Sequence, residues 1–234
     1  IGPCTVQKAL EQSSNIVFAK LAAENYSGNP SRFVNRIKNM KVGAKYNLAI
    51  KGEARSTIHS PEEKIWSVSS LPSMAIGYST LLTPLQILTF YNAIANKGKM
   101  MKPYLVEDIE KNGAVKEKLG PSILNASVCS KATADTITRG LASVVQSGTA
   151  TRLKNTKCTV AGKTGTARIL LDENDSKTAA GRYTDEWGRK KNQATFVGFF
   201  PADNPKYSAI ICLKSYLIRG SLYGGVLPAA AIRE

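Results

Sequence analysis

Thr159-Val160-Ala161-Gly162-Lys163-Thr164-Gly165-Thr166-Ala167 opens as a strand and ends as a site. Val160 and its small or β-branched neighbours suit a pleated surface. A purely structural strand would go on alternating apolar and polar residues, whereas here a cation, two hydroxyls and a glycine follow. Gly165 has no Cβ, so a second backbone can approach this edge. An extended peptide can add there as an extra strand, with Lys163 supplying positive charge and Thr164 and Thr166 supplying hydroxyl donors. The stretch reads as a docking edge for an acidic peptide; the plainer alternative is an exposed turn of small polar residues.

Downstream, Arg168 to Asn192 is a long polar connection of mixed charge, a length that usually carries function or mobility. A strand over Thr195–Phe200, a turn at Asp203-Asn204-Pro205 and a strand from Tyr207 to Lys214 follow. Three strands joined by two local connections make an antiparallel meander, and helices before and after must cover its faces. Upstream, Ser130 opens a helix with Ile137, Leu141, Val144 and Val145 on one face and Gly148 as its stop. Asn112-Gly113 signals a hairpin, and Pro103-Tyr104-Leu105-Val106 is strand-like. Thr83-Pro84-Leu85-Gln86 starts a helix strongly, with Thr83 as cap, Pro84 at the first helical position and Gln86 closing a capping box. That helix is apolar nearly all round to Asn96, which argues for a buried position, and Lys97-Gly98 ends it. Pro30 begins another helix with Phe33, Ile37 and Met40 on one face. From Thr5 to Glu24 a helical pattern is broken at Glu11-Gln12-Ser13-Ser14-Asn15, where Ser14 or Asn15 can serve as the cap of a second helix. The fold class is α+β, an antiparallel sheet flanked by helices.

The 234 residues, 43% hydrophobic and 21% charged, can bury a sizeable core and exclude a disordered chain. No apolar run reaches membrane-spanning length, and no signal-peptide pattern opens the sequence. Both ends look like cuts in a longer protein. Net charge is +15, from 32 basic and 17 acidic residues, which favours anionic partners. The basic residues are scattered, with no aromatic-interleaved basic helix, so no nucleic acid is expected as partner. Cys4, Cys129, Cys158 and Cys212 lack metal-ligand spacing, and Cys158 and Cys212 read as buried thiols, with a disulfide in an oxidising compartment as the alternative. No metal or other cofactor is expected. His59, the one histidine, sits in a polar irregular stretch between Gly43 and Ser73 and reads as a surface residue. A Ser-His-Asp triad therefore has no base of its own here.

Taken together, Ser13-Ser14-Asn15 between two helices and Lys163-Thr164-Gly165-Thr166 on a strand resemble the second and third motifs of penicillin-binding proteins and serine β-lactamases. Further pieces are similar to class B penicillin-binding proteins in the same order: Leu10 to Asn15, Ala75-Ile76-Gly77-Tyr78, Thr83-Pro84-Leu85-Gln86, Ala161 to Ala167, Val197 to Pro201 and Tyr223-Gly224-Gly225. They run across almost the whole chain. Gly77-Tyr78 before the capping box resembles the division-specific branch, although Ser79 stands where that branch often has glycine. The family's nucleophile lies in a Ser-x-x-Lys motif, and no serine here has lysine three residues on. Truncation is the nearer explanation, a degenerate relative the other.

The resemblance implies residues 1–234 are a partial transpeptidase domain of the β-lactamase/transpeptidase-like fold, with about three of the family's five sheet strands. It implies acyl transfer from a peptidoglycan stem peptide ending in D-Ala-D-Ala, through a serine acyl-enzyme that replaces one difficult step by two easier ones. β-Lactams would mimic the donor, and this chain alone would form no acyl-enzyme. In that scheme Lys163 places a cation by the substrate carboxylate, Ser13 relays a proton, Asn15 holds the substrate through its amide, and Thr166 offers an N–H to the oxyanion and a hydroxyl to the carboxylate. Thr164 and Gly165 shape the edge on which the substrate lies. The resemblance also implies the extracytoplasmic (periplasmic) face of the bacterial inner membrane, an N-terminal anchor absent from this chain, and cell-division membrane proteins as partners of the full-length protein. Exposed apolar sheet surface would favour a homo-oligomer. Alternatives are a non-catalytic stem-peptide or β-lactam-binding relative, a serine β-lactamase or D,D-carboxypeptidase, and a basic nucleic-acid binder, which steep salt dependence would reveal.

Overall fold

The structure, a computed structural model, describes residues 2–169, 183, 190–216 and 224–233. The chain divides into two compact units, one holding Ser14–Ile137 and the other holding Gly2–Ser13 with Thr138–Glu234. No helix among the described residues is long and apolar enough to cross a membrane.

Helices and short ladders build the first unit. Helices α2 (Asn15–Tyr26) and α3 (Pro30–Asn39) lead into an irregular stretch. Asn29 caps α3 by accepting from the Arg32 N–H (3.2 Å), and Pro30 takes the first helical position. Helix α4 (Ser70–Ala75) follows, and α5 (Pro84–Ala95) begins with the full capping box: Gln86 N–H donates to Thr83 Oγ1 (3.2 Å) while Thr83 N–H donates to Gln86 Oε1 (2.9 Å). The rest of the Gln86 amide is used as well, since Nε2 donates to Ala44 O (3.1 Å) and satisfies a side chain that is 2% exposed. All of α5 after Pro84 is buried or half-buried, as its all-round apolar sequence requires.

Strands β1 (Thr57–Ile58) and β2 (Thr80–Leu81) pair in a two-residue ladder, β3 (Met100–Lys102) pairs with β6 (Ser122–Asn125), and β4 (Asp108–Lys111) pairs with β5 (Ala114–Lys118) through the Asn112-Gly113 turn. Both turn residues have positive φ, 55° and 76°, which is the left-handed geometry a two-residue hairpin needs. Strand β3 lies before Pro103, not over the expected Pro103–Val106, because proline has no N–H to continue the ladder with β6.

In the second unit α1 (Val6–Glu11) accompanies the later part of α6 (Lys131–Ser147), three strands and α7 (Leu227–Arg233). The strands β7 (Ala161–Arg168), β8 (Lys191–Phe200) and β9 (Tyr207–Tyr216) form the expected antiparallel meander in the order β7-β8-β9. Strand β8 begins four residues earlier than the apolar run marked it. Val144 and Val145 of α6, Leu153, Val160, Phe196 and Ala229 of α7 make one buried cluster, with Leu10 of α1 against it. Cys158 is exposed rather than buried, since it lies in the turn before β7 and not in the strand; Cys212 is half-buried and accepts from Thr195 Oγ1 (3.6 Å). Most of the connection between β7 and β8, and Tyr223, lie outside the described residues.

Candidate active site

The site is built in the second unit, where α1 ends against β7. Helix α1 terminates with Gln12 still helical and Ser13 in the left-handed region at φ 54°, its N–H donating to Leu10 O (3.2 Å). A glycine is the usual residue at this helix-ending position; a serine there costs about 1 kcal/mol or more and sets the direction of its hydroxyl. Ser14 is the N-cap residue of α2, but its side chain makes no capping bond, so the serine pair is not spent on capping.

Lys163 Nζ donates to Ser13 Oγ at 2.6 Å, across 150 residues of chain, and to Thr164 O at 2.9 Å. Burial of this amine draws its pKa from 10.5 down to about 8. Thr164 is buried, and its hydroxyl shares a 2.6 Å bond with Thr149 Oγ1 in the loop after α6. The Thr149 N–H donates to Glu11 O (3.1 Å), two residues before Ser13. Thr149 thus bonds both the turn that carries Ser13 and the strand that carries Lys163. Glu11 itself is 7% exposed; its bond from Lys8 (3.1 Å) holds its carboxyl below the usual carboxylate range, helped by Gln7 (3.3 Å).

Beyond Thr164 the strand is exposed from Gly165 to Arg168. The Ile169 N–H bonds to Lys191 O (2.9 Å), and the unbroken register from Ala161↔Phe199 to Arg168↔Asn192 fixes the alternation. The main-chain N–H and C=O groups of Thr164 and Thr166 therefore point away from β8, toward an edge that no other described strand pairs. Gly224 N–H donates to Thr166 Oγ1 (3.2 Å), and a side chain on Gly224 or Gly225 would run into the main-chain oxygens of Thr195 or Thr149. The Gly224-Gly225 pair is needed for this close approach.

Ser13, Lys163, Thr164 and Thr166 thus meet in one unit, with Gly165 exposed between the last two. Asn15 is the first residue of α2 and belongs to the other unit. Thr149 was not legible as a site residue: Ser147-Gly148-Thr149 reads as a helix stop, and nothing local tells that its hydroxyl faces Thr164. His59 lies in the first unit, with Nδ1 2.6 Å from Glu63 Oε2. Among the described residues no group of His, Cys, Asp and Glu could hold a metal.

The likeness to solved penicillin-binding proteins assigns this helix-flanked antiparallel sheet to the β-lactamase/transpeptidase fold, here in partial form. The sequence profile of the Penicillin binding protein transpeptidase domain matches residues 1–232. Penicillin-binding protein PbpB of Mycolicibacterium smegmatis is 30% identical over 215 residues, which are 88% of this chain and 30% of that protein. Peptidoglycan D,D-transpeptidase MrdA of Haemophilus influenzae is 28% identical over 228 residues, 92% of this chain and 34% of its own length. Among solved structures, penicillin binding protein 3 of Mycobacterium tuberculosis complexed with ampicillin superposes with a TM-score of 0.76 at 27% identity, covering 92% of this chain and 45% of that one. The chain belongs to the penicillin-binding protein transpeptidase family and is a class B transpeptidase domain. It spans about a third of the length of these curated relatives.

Proposed function

We propose that this chain supplies the second and third active-site motifs of a peptidoglycan D,D-transpeptidase that cross-links stem peptides on the outer face of the cytoplasmic membrane, and that its acylated serine lies in a Ser-x-x-Lys segment outside these 234 residues. The observation that carries the reading is the 2.6 Å bond from Lys163 to Ser13. An amine with a pKa of about 8 is charged enough near neutrality to face a carboxylate and close enough to it to exchange a proton with the neighbouring hydroxyl. Ser13 is the relay toward the leaving D-alanine amine, and Lys163 positions the terminal carboxylate of the donor. The donor peptide adds to the open edge of β7, where the Thr166 N–H meets the oxyanion and Gly165 leaves room for the incoming backbone. Removing one such donor typically costs about 3–4 kcal/mol of transition-state stabilisation. The resemblance of Ser13-Ser14-Asn15 to the family's second motif supports an amide contact of Asn15 with the substrate. Two solved structures of one relative, penicillin binding protein 3 of Mycobacterium tuberculosis, are complexes with β-lactams, ampicillin in one and aztreonam in the other, which supports β-lactams as acylating ligands of the whole enzyme. Gly77-Tyr78 ahead of the capping box favours a division-specific enzyme acting with cell-division membrane proteins.

A fluorescent penicillin tests this. The 234-residue chain should take up no covalent label, the full-length protein should, and Ser13→Ala or Lys163→Ala in the full-length protein should slow labelling at least a hundredfold. Clear labelling of the short chain would place the nucleophile inside it, and undiminished labelling of both variants would remove Ser13 and Lys163 from the reaction.

A further inference from the structure

The first unit holds a groove of about 610 Å³ between α3 and the loop before α6. It lies wholly within that unit and involves none of the residues placed at the acyl-transfer site. Arg32, Asn35, Arg36 and Asn39 line it at helical spacing, so one exposed face of α3 forms a wall; Tyr26 and Ser127 line it from either side. The walls are tied: Asn125 Nδ2 donates to Asn39 O (2.9 Å) at the end of α3, and Val128 N–H donates to Gly98 O (2.8 Å).

The charge in this groove is uncompensated. Among the described residues, ion pairs run to carboxylates from Lys8, Lys20, His59, Lys97 and Lys131, and none reaches Arg32 or Arg36. No acidic residue lines the groove. At its rim the Ser31 hydroxyl donates to Glu62 (3.0 Å), a carboxylate outside the lining that forms no ion pair with Arg32 or Arg36. The Arg32 guanidinium lies over the Tyr26 ring, 5.9 Å from its centre. A planar fork of that kind is matched to a carboxylate or a phosphate. Side-chain amides beside it can each donate and accept, which suits adjacent hydroxyls rather than a bare ion. A concavity of this volume is in the range of small-molecule sites.

We propose that this groove binds an anionic sugar: a carboxylated or phosphorylated, hydroxyl-rich unit of a glycan, with Arg32 and Arg36 on the anion and Asn35 and Asn39 on the hydroxyls. It is a second site, separate from acyl transfer, and it does not depend on the transpeptidase reading.

The test is titration of the isotope-labelled 234-residue chain with D-glucuronate, D-glucose 1-phosphate, inorganic phosphate and D-glucose, following amide signals of residues 29–40 and 125–128. The two sugar anions should shift these signals at concentrations at least tenfold below those needed for glucose or inorganic phosphate, and their relative affinities tell which anion is preferred. Arg32→Gln with Arg36→Gln should weaken both sugar anions at least tenfold. Arg36→Gln alone, which keeps the Arg32–Tyr26 contact, should weaken them in the same direction. Lys111→Gln with Lys116→Gln removes equal charge from the exposed β4–β5 hairpin and should change nothing. The proposal is overturned if no sugar anion shifts these signals, if inorganic phosphate binds as tightly as the sugars, or if the lysine pair matters as much as the arginine pair.

Discussion

Replacing Lys163 by methionine measures what the buried amine costs the fold. Burial draws the amine from the ordinary lysine value of 10.5 to about 8, equivalent to at most about 3 kcal/mol at 1.36 kcal/mol per pH unit, less what solvent screens at this half-buried position. In the unfolded chain the lysine keeps its ordinary value. Below pH 8 both states are therefore protonated, and the native state bears the whole cost. Between the folded and unfolded values the native state has released its proton while the unfolded state still holds one, so stability rises with pH. Methionine has no such proton. The stability of the natural chain relative to Lys163→Met should climb by about 2 kcal/mol between about pH 7 and 9.5. Urea unfolding of both proteins across that window reads the difference directly, because the other titrating groups are common to the two. A gap that stays level with pH, or a Lys163 side-chain NMR titration with its midpoint at the ordinary lysine value, refutes the reasoning. Ser13→Ala supplies a second sign: it deletes an acceptor of the ammonium, so the Lys163 midpoint should move further down.

Three further outcomes follow from the same region. Ser13 has φ 54°, so Ser13→Gly should be more stable to urea than Ser13→Ala by about 1 kcal/mol, though both lose the hydroxyl. Thr149→Val leaves the Thr164 hydroxyl without its 2.6 Å partner and should cost about 1–3 kcal/mol in thermal or urea unfolding, whereas Thr149→Ser should recover most of it. Gly225→Ala drives a methyl into the Thr149 carbonyl and should destabilise by about 1–3 kcal/mol or more; Gly165→Ala, whose nearest neighbour would be Thr195 Cβ at 3.8 Å, should stay within about 0.5 kcal/mol by the same assay.

Which parts were legible in the sequence follows from the range of the interaction that fixes each one. The α5 start was readable because its capping box closes within four residues, and the Asn112-Gly113 hairpin because both turn residues tolerate positive φ. The three-strand meander was readable because each strand pairs with the next one in sequence and β8 and β9 carry β-branched and aromatic residues. The strand at Met100–Lys102 was not: it is three residues long without a β-branched side chain, and the β4–β5 hairpin intervenes before its partner β6. Cys158 was misread because an apolar, β-branched neighbourhood looks the same in a strand and in the turn leading to one. Ser13 and Lys163 were recognisable as a pair only through resemblance, since no local property of either residue specifies a partner 150 positions away.

Thr149 shows what neither periodicity nor motif could supply. The sheet alone fixes Lys163 along β7, and α1 alone fixes the backbone of Ser13, but neither element sets the distance between them. That distance is held by a loop whose N–H donates to Glu11 O at 3.1 Å and whose hydroxyl shares a 2.6 Å hydrogen bond with that of Thr164. Gly225 packs against the carbonyl of the same residue, so the segment before α7 closes on the loop from another side. A left-handed serine at a helix end is a strained place to keep a hydroxyl, and such strain persists only where surrounding contacts over-determine it. One of those contacts is the Thr149 N–H bond to Glu11 O, so loosening that loop should lengthen the Ser13–Lys163 bond while α1 and β7 each stay intact.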